Sequence, residues 1–149
     1  MMTWRGHVLA VLLRAVGALP LGFLRALGNL AGVVLWWTPN RTRRISLTNL
    51  ELCLPSLSEA SRERLCQHNL RQTSVGLLEL AWVWRHPQQA LDRIQSVQND
   101  GELRETLDSG RPALILAPHL GNWEVLNFWL SRHFDFHAMF LPSGMEAVD

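Results

Sequence analysis

An imidazole and a carboxylate stand five positions apart in the run Ala117-Pro118-His119-Leu120-Gly121-Asn122-Trp123-Glu124, and together they have the makings of a general-base pair. Imidazole accepts a proton near neutral pH, and a carboxylate beside it orients the ring and stabilises the imidazolium. Spacing alone is weak support. Six His and 13 acidic residues in a chain of 149 give such a match about half the time by chance. On one continuous helix, five positions also separate the two side chains by about 140°, so they face each other only if the chain turns between them.

The flanking residues supply that turn. Ala113 to Ala117 is an uninterrupted apolar stretch, too short for a helix and suited to a strand buried on both faces, as in a parallel sheet covered by helices. Pro118 removes a backbone donor and ends the strand. Gly121 permits a sharp turn, and Asn122 is a good N-cap for a helix that starts at Trp123 and carries Val125, Leu126, Phe128, Trp129 and Leu130 inward. A strand, a turn and a helix start in that order fold Glu124 back toward His119. They also put His119 at the carboxyl end of a strand, where open α/β sheets hold their ligands.

Further elements follow from caps and breakers. Residues 40–53 read as a helix stopped by Pro55. A long helix starts near Glu59, capped by Ser56 or Ser58, and runs to about Trp84 before Pro87. Gln88 to Arg93 suits a helical turn, Ile94 to Val97 a short strand, and Asp100 to Leu107 a helix closed by Gly110. Phe136 to Phe140 is expected as a second strand, which with the helix from Trp123 to about His133 gives a right-handed crossover and a parallel pair. The fold expected is α/β, a mainly parallel sheet covered by helices.

The amino-terminal part has a different composition. From Gly6 to Trp37 the chain is nearly all apolar, broken by Arg14, Pro20, Arg25 and Asn29, and its uncharged stretches fall short of the roughly 20 residues that cross a bilayer cleanly. His7, Arg14 and Arg25 share one face of an unbroken helix, although Pro20 is expected to kink or split it. Residues 1–50 contain arginine but no acidic residue, and all 13 acids lie beyond them. Trp36 and Trp37 followed by Arg41, Arg43 and Arg44 suit a membrane interface on its anionic cytoplasmic side. The expectation is an anchor over residues 1–38, as one tilted span or a hairpin dipped into the leaflet, and a second region over 39–149. Three arginines without a wider basic face do not suggest nucleic acid. Cys53 and Cys66 form no Cys-x-x-Cys pair and read as reduced core thiols. His133 and His137 are expected on a helix end and a strand, so no metal site is expected.

The run Pro112 to Glu124, with His119-Leu120-Gly121-Asn122-Trp123-Glu124 at its centre, resembles the His-x4-Asp/Glu block of the bacterial lipid A biosynthesis acyltransferases. The stretch from Arg43 through Asn49-Leu50 and Leu54-Pro55 to Ser58 is similar to that family's Arg-x5-Asn-Leu-x3-Phe-Pro-x2-Ser region, with Leu54 at the aromatic position. The resemblance implies an acyltransferase domain of α/β fold behind a membrane anchor. It implies an O-acyltransferase of the bacterial inner membrane, its site facing the cytoplasm, that moves a fatty acyl chain from acyl carrier protein to a hydroxyl of a lipid A precursor in lipopolysaccharide synthesis. His119 is then the general base and Glu124 its orienting partner, with Gly121, Asn122 and Trp123 on the substrate side. No cofactor is implied beyond the acylated carrier protein as co-substrate. Two alternatives accompany this reading: a glycerophospholipid acyltransferase, which uses a related His-x4-Asp motif, or a non-catalytic membrane-associated remnant. The second arises because the resemblance covers only about the first half of the family's domain, so the domain is expected to be truncated. Phe140-Leu141-Pro142 also lacks the basic residue that relatives often place in that next block.

Overall fold

The computed structural model describes residues 4–118 and 120–139, Arg5 without its side chain. They form two compact units, divided between Arg85 and His86.

The first unit is four helices. The apolar run makes α1 (Trp4–Gly17) and α2 (Leu21–Trp37), followed by α3 (Arg41–Cys53) and α4 (Glu59–Arg85). Pro20 does break the run, and the two apolar helices meet at a bend of 113°. That bend removes the shared face expected for His7, Arg14 and Arg25, which needs an unbroken helix. Arg25 instead donates from Nε to Oε1 of Glu79 on α4 at 2.6 Å.

The core of this unit is the seam between α2 and α4. Leu24, Gly28 and Gly32 form a buried stripe at four-residue steps along α2. They meet a buried row on α4 that includes Cys66, Leu70 and Val75. Arg25 pairs with Glu79, Gly28 lies on Val75 and Gly32 lies on Arg71, so the numbering rises on one helix as it falls on the other. The two helices are therefore antiparallel. Gly17 brings α1 onto the same helix at Ala81. Without Cβ atoms at these positions the backbones approach closely, a gain in packing that offsets the low helix propensity of glycine.

One side chain bonds to both α2 and α3. Asn40 Oδ1 accepts from the backbone N–H of Arg43 at 2.8 Å, and Asn40 Nδ2 donates back to the carbonyl of Leu35 at 2.6 Å. One amide thus satisfies an orphan donor at the start of α3 and an orphan acceptor at the end of α2. Asn40→Ala is expected to cost about 1–2 kcal/mol, which a chemical denaturation curve measures. Asn40→Asp retains the acceptor and loses the donor, so it should fall between the two. Ser58, rather than Ser56, caps α4, accepting from the N–H of Ser61 at 3.3 Å.

The cysteines differ from the expected pair of core thiols. Cys66 is fully buried, whereas Cys53 is exposed at the end of α3. Burial pushes the Cys66 thiol above its ordinary range; nearby Arg43 opposes the shift and Glu63 adds to it. Because the folded value is raised, the stability that Cys66 contributes is complete below the unfolded thiol's range and is lost as pH rises through the folded value. Titration with a thiol reagent under native conditions should therefore label one cysteine quickly, Cys53, and release the second only on unfolding. Rapid labelling of two thiols would contradict this burial.

The second unit contains α5 (Pro87–Leu91), α6 (Gly101–Asp108) and α7 (Trp123–His133). Pro87 takes the first position of α5, where its missing N–H costs nothing. Gly110, at φ +76°, donates to the carbonyl of Leu107 and closes α6 as expected. Ala90 of α5 and Leu130 of α7 are buried, and Arg132 donates to Gln88 between the same two helices. His133 closes α7, its ring stacked on Trp129 at 4.6 Å with Nδ1 2.7 Å from the Trp129 carbonyl.

The expected mainly parallel sheet is not there. Among the described residues there is no strand: 94–97, 113–117 and 136–139 lack sheet pairing, and Phe140 lies outside the described residues. The apolar run at 113–117 signals a segment suited to burial on both faces, but a strand also requires neighbours to pair its N–H and C=O groups. Among the described residues none pairs with it, and Leu114 and Leu116 stand 83% and 85% exposed. The crossover and the parallel pair fall with the sheet.

Candidate active site

His119 lies outside the described residues, so the candidate site is built from what flanks it. On its amino side, residues 111–118 are exposed and belong to no helix. Among the flanking residues, the N–H of Leu120 donates to the carbonyl of Pro118 at 2.7 Å. Gly121 turns the chain at φ +64°, a conformation that a Cβ strongly disfavours. The sharp turn expected at Gly121 is present.

Helix α7 begins immediately afterwards at Trp123, as its sequence indicates. Glu124 is half-buried in the first turn, where unsatisfied N–H groups and the helix dipole favour a carboxylate. Asn122 occupies the N-cap position, and its carbonyl accepts from the N–H of Val125 at 3.1 Å. Its side chain, however, makes no capping hydrogen bond. The Asn122 Oδ1 is buried and has no hydrogen-bond partner, so the capping role expected for that amide is not performed. Trp123 is half-buried beside it. Gly121, Asn122, Trp123 and Glu124 are thus gathered on one turn and helix start.

His137 is exposed, 3.6 Å from Asp135. Among the described residues no cluster of three His, Cys, Asp or Glu side chains is arranged to hold a metal ion.

The sequence of this turn belongs to a wider pattern. The model of the bacterial lipid A biosynthesis acyltransferases matches residues 1–146, nearly the whole chain. The chain belongs to that family. It is 29% identical to the lipid A biosynthesis lauroyltransferase of Escherichia coli over 118 residues, covering 79% of this chain and 38% of that enzyme. It is 35% identical over 75 residues to a lipid A biosynthesis acyltransferase of Haemophilus influenzae, covering 48% and 24% of the two chains. A third relative, the E. coli palmitoleoyltransferase of lipid A biosynthesis, is 28% identical over 107 residues, covering 72% and 35%. The chain therefore spans well under half the length of the curated lipid A acyltransferases it matches. No solved structure matches it significantly.

Within the family region from Arg43 to Ser58, the structure gives several positions a physical role. Arg43 places its guanidinium 4.4 Å from the Trp36 ring centroid, and its carbonyl receives the Cys66 thiol at 4.0 Å. Pro55 follows the α3 C-cap residue Leu54, and Ser58 caps α4. The Arg and Ser of the pattern thus hold the ends of α3 and α4 in place. Sequence reasoning started a helix at residue 40 but gave no role to the Asn40 amide, which is bonded to both helices; an asparagine at a helix start was the available signal.

Proposed function

We propose that this protein is part of a membrane-associated O-acyltransferase that moves a fatty acyl chain from acyl carrier protein to a hydroxyl of a lipid A precursor. The observation that carries the proposal is the family match over residues 1–146; His119 and Glu124 have the spacing of the His-x4-Asp/Glu block that their run resembles. His119 removes the proton of the acceptor hydroxyl as its oxygen attacks the thioester carbonyl. The tetrahedral intermediate then collapses, the C–S bond breaks, and the imidazolium returns its proton to the departing carrier thiolate. Glu124 orients the ring and stabilises its charged form. Backbone N–H groups in the Gly121 turn are the candidate donors to the oxyanion. The buried, unpartnered Oδ1 of Asn122 suits an acceptor for a substrate N–H or O–H.

The membrane part of the proposal rests on α1 and α2. Among the described residues no single helix is long and apolar enough to cross a bilayer, and the bent pair meets that requirement together by length and composition only. On α2, Phe23, Leu27, Leu30, Val34 and Trp37 are exposed at steps of three and four, a lipid-suited face turned away from the glycine stripe. Trp4, Val8, Val11 and Leu12 extend such a face on α1. A hairpin lying in the leaflet satisfies both the bend and these faces.

The test is acyl transfer by membranes carrying the protein, supplied with labelled acyl carrier protein and a lipid A precursor, with the product weighed by mass spectrometry. Gain of one acyl chain by the precursor supports the proposal. A labelled glycerophospholipid instead of that product would reject the lipid A assignment.

A further inference from the structure

The first unit contains a feature that the proposed acyl transfer does not use. Along α3, Arg41, Arg44, Thr48 and Glu51 follow one another at three- and four-residue steps and share a face. With Arg43 and Asn40 they border an open groove of about 540 Å³ at the α2–α3 joint. Three guanidinium groups and one carboxylate line it, a net positive charge. None of the three arginines forms an ion pair among the described residues, and Glu51 pairs with none of them. The Nε of Arg43 is buried without a hydrogen-bond partner, while Arg41 and Arg44 are exposed. Guanidinium groups are strong donors to phosphate and carboxylate, so the groove suits an anion.

Its position selects the anion. The apolar face of α2 ends at Trp37, 75% exposed, and the groove begins at Pro39. Arg43 is stacked on Trp36 between them. An aromatic pair at the end of an apolar stripe, followed at once by unpaired arginines, matches the order of a lipid leaflet from acyl chains through the interface to phosphate.

We propose that this groove binds the phosphate of an anionic membrane phospholipid while the hairpin lies in the leaflet beside it. The proposal rests on the interfacial placement of α1 and α2 inferred above, and it adds a headgroup site to that placement. Arg41 and Arg44 supply exposed donors in forked geometry, and Thr48 adds a hydroxyl. Arg43, fixed against Trp36, sets the groove wall.

The test compares binding of the full chain to vesicles of phosphatidylcholine alone and of phosphatidylcholine with a minority of phosphatidylglycerol. The unaltered chain should prefer the anionic vesicles. The double variant Arg41→Gln, Arg44→Gln should lose about 30-fold in affinity for them, roughly fivefold for each charge, and keep its affinity for the neutral ones. Arg41→Lys with Arg44→Lys should keep part of the preference, because the charge remains and the fork is lost. Equal binding of the unaltered chain to both vesicles overturns the groove but leaves the hairpin reading standing. Binding to neither defeats the hairpin reading and the groove with it. A preference that survives in the glutamine variant, or a loss on both vesicles alike, overturns the proposal. Inorganic phosphate that abolishes the preference at matched ionic strength overturns the lipid as its source.

Discussion

His119→Ala is expected to lower acyl transfer about 10²–10⁴-fold, the usual contribution of a positioned general base. Membrane attachment should be unchanged, because His119 stands outside the apolar hairpin formed by α1 and α2. Glu124→Gln should cost less, since the base remains and only its orientation and charge support are weakened. Glutamine also keeps the size of the side chain at the start of α7. The pH profile separates the two roles: loss of the carboxylate should move the acidic limb of the rate profile to lower pH, because an imidazolium without its anion gives up its proton more easily. These measurements are made on the protein in the membranes that carry out the transfer. Activity of His119→Ala equal to that of the unaltered protein would end the general-base assignment.

The second large effect is on stability and has an internal control of opposite sign. A Cβ added at Gly32 would lie 2.4 Å from the Cα of Arg71, and one at Gly28 would lie 2.6 Å from the Cα of Val75. Both neighbours are backbone atoms, so the α2–α4 seam must open to admit the methyl group. Gly28→Ala and Gly32→Ala are each expected to destabilise by about 1–3 kcal/mol despite the better helix propensity of alanine. At Gly76, in the same helix as Val75, a Cβ would meet nothing within 4 Å. Gly76→Ala should therefore stabilise by about 0.5–1 kcal/mol. Denaturation midpoints for the three variants check both signs. Equal shifts at Gly28 and Gly76 would show that the close seam is not what those glycines serve.

The sequence revealed local signals more clearly than partnerships. The break at Pro20, the end of the long helix near Arg85, the closure at Gly110 and the helix beginning at Trp123 each depend on residues within a turn or two. All were therefore readable from the chain. The link between Arg25 and Glu79 spans 54 positions, and nothing local to either residue announces it. Asn40 was readable as a helix start, but its second bond depends on where Leu35 ends up. The sheet failed for a related reason. Alternation and apolar runs report the kind of surface a segment suits, whereas pairing depends on another segment lying alongside.

The same distinction applies to the site. The turn at Gly121 and the entry of Glu124 into α7 follow from Pro118, Gly121 and the helical periodicity after Trp123. The empty acceptor on Asn122 could not be foreseen, because residues that favour caps do so statistically and the geometry of one turn decides whether the bond forms. The role proposed for His119 rests on its chemical type and on the resemblance of the residues around it rather than on spacing.

The bare segment at 113–117 bears on how much of the protein a cell can keep. Five consecutive uncharged apolar residues, with Leu114 and Leu116 almost fully in solvent, form the sort of stretch that chaperones bind and proteases clear. Cellular abundance would then be governed by whatever shields those side chains, and a lysine placed there would raise the level of protein recovered from cells without touching the helical core.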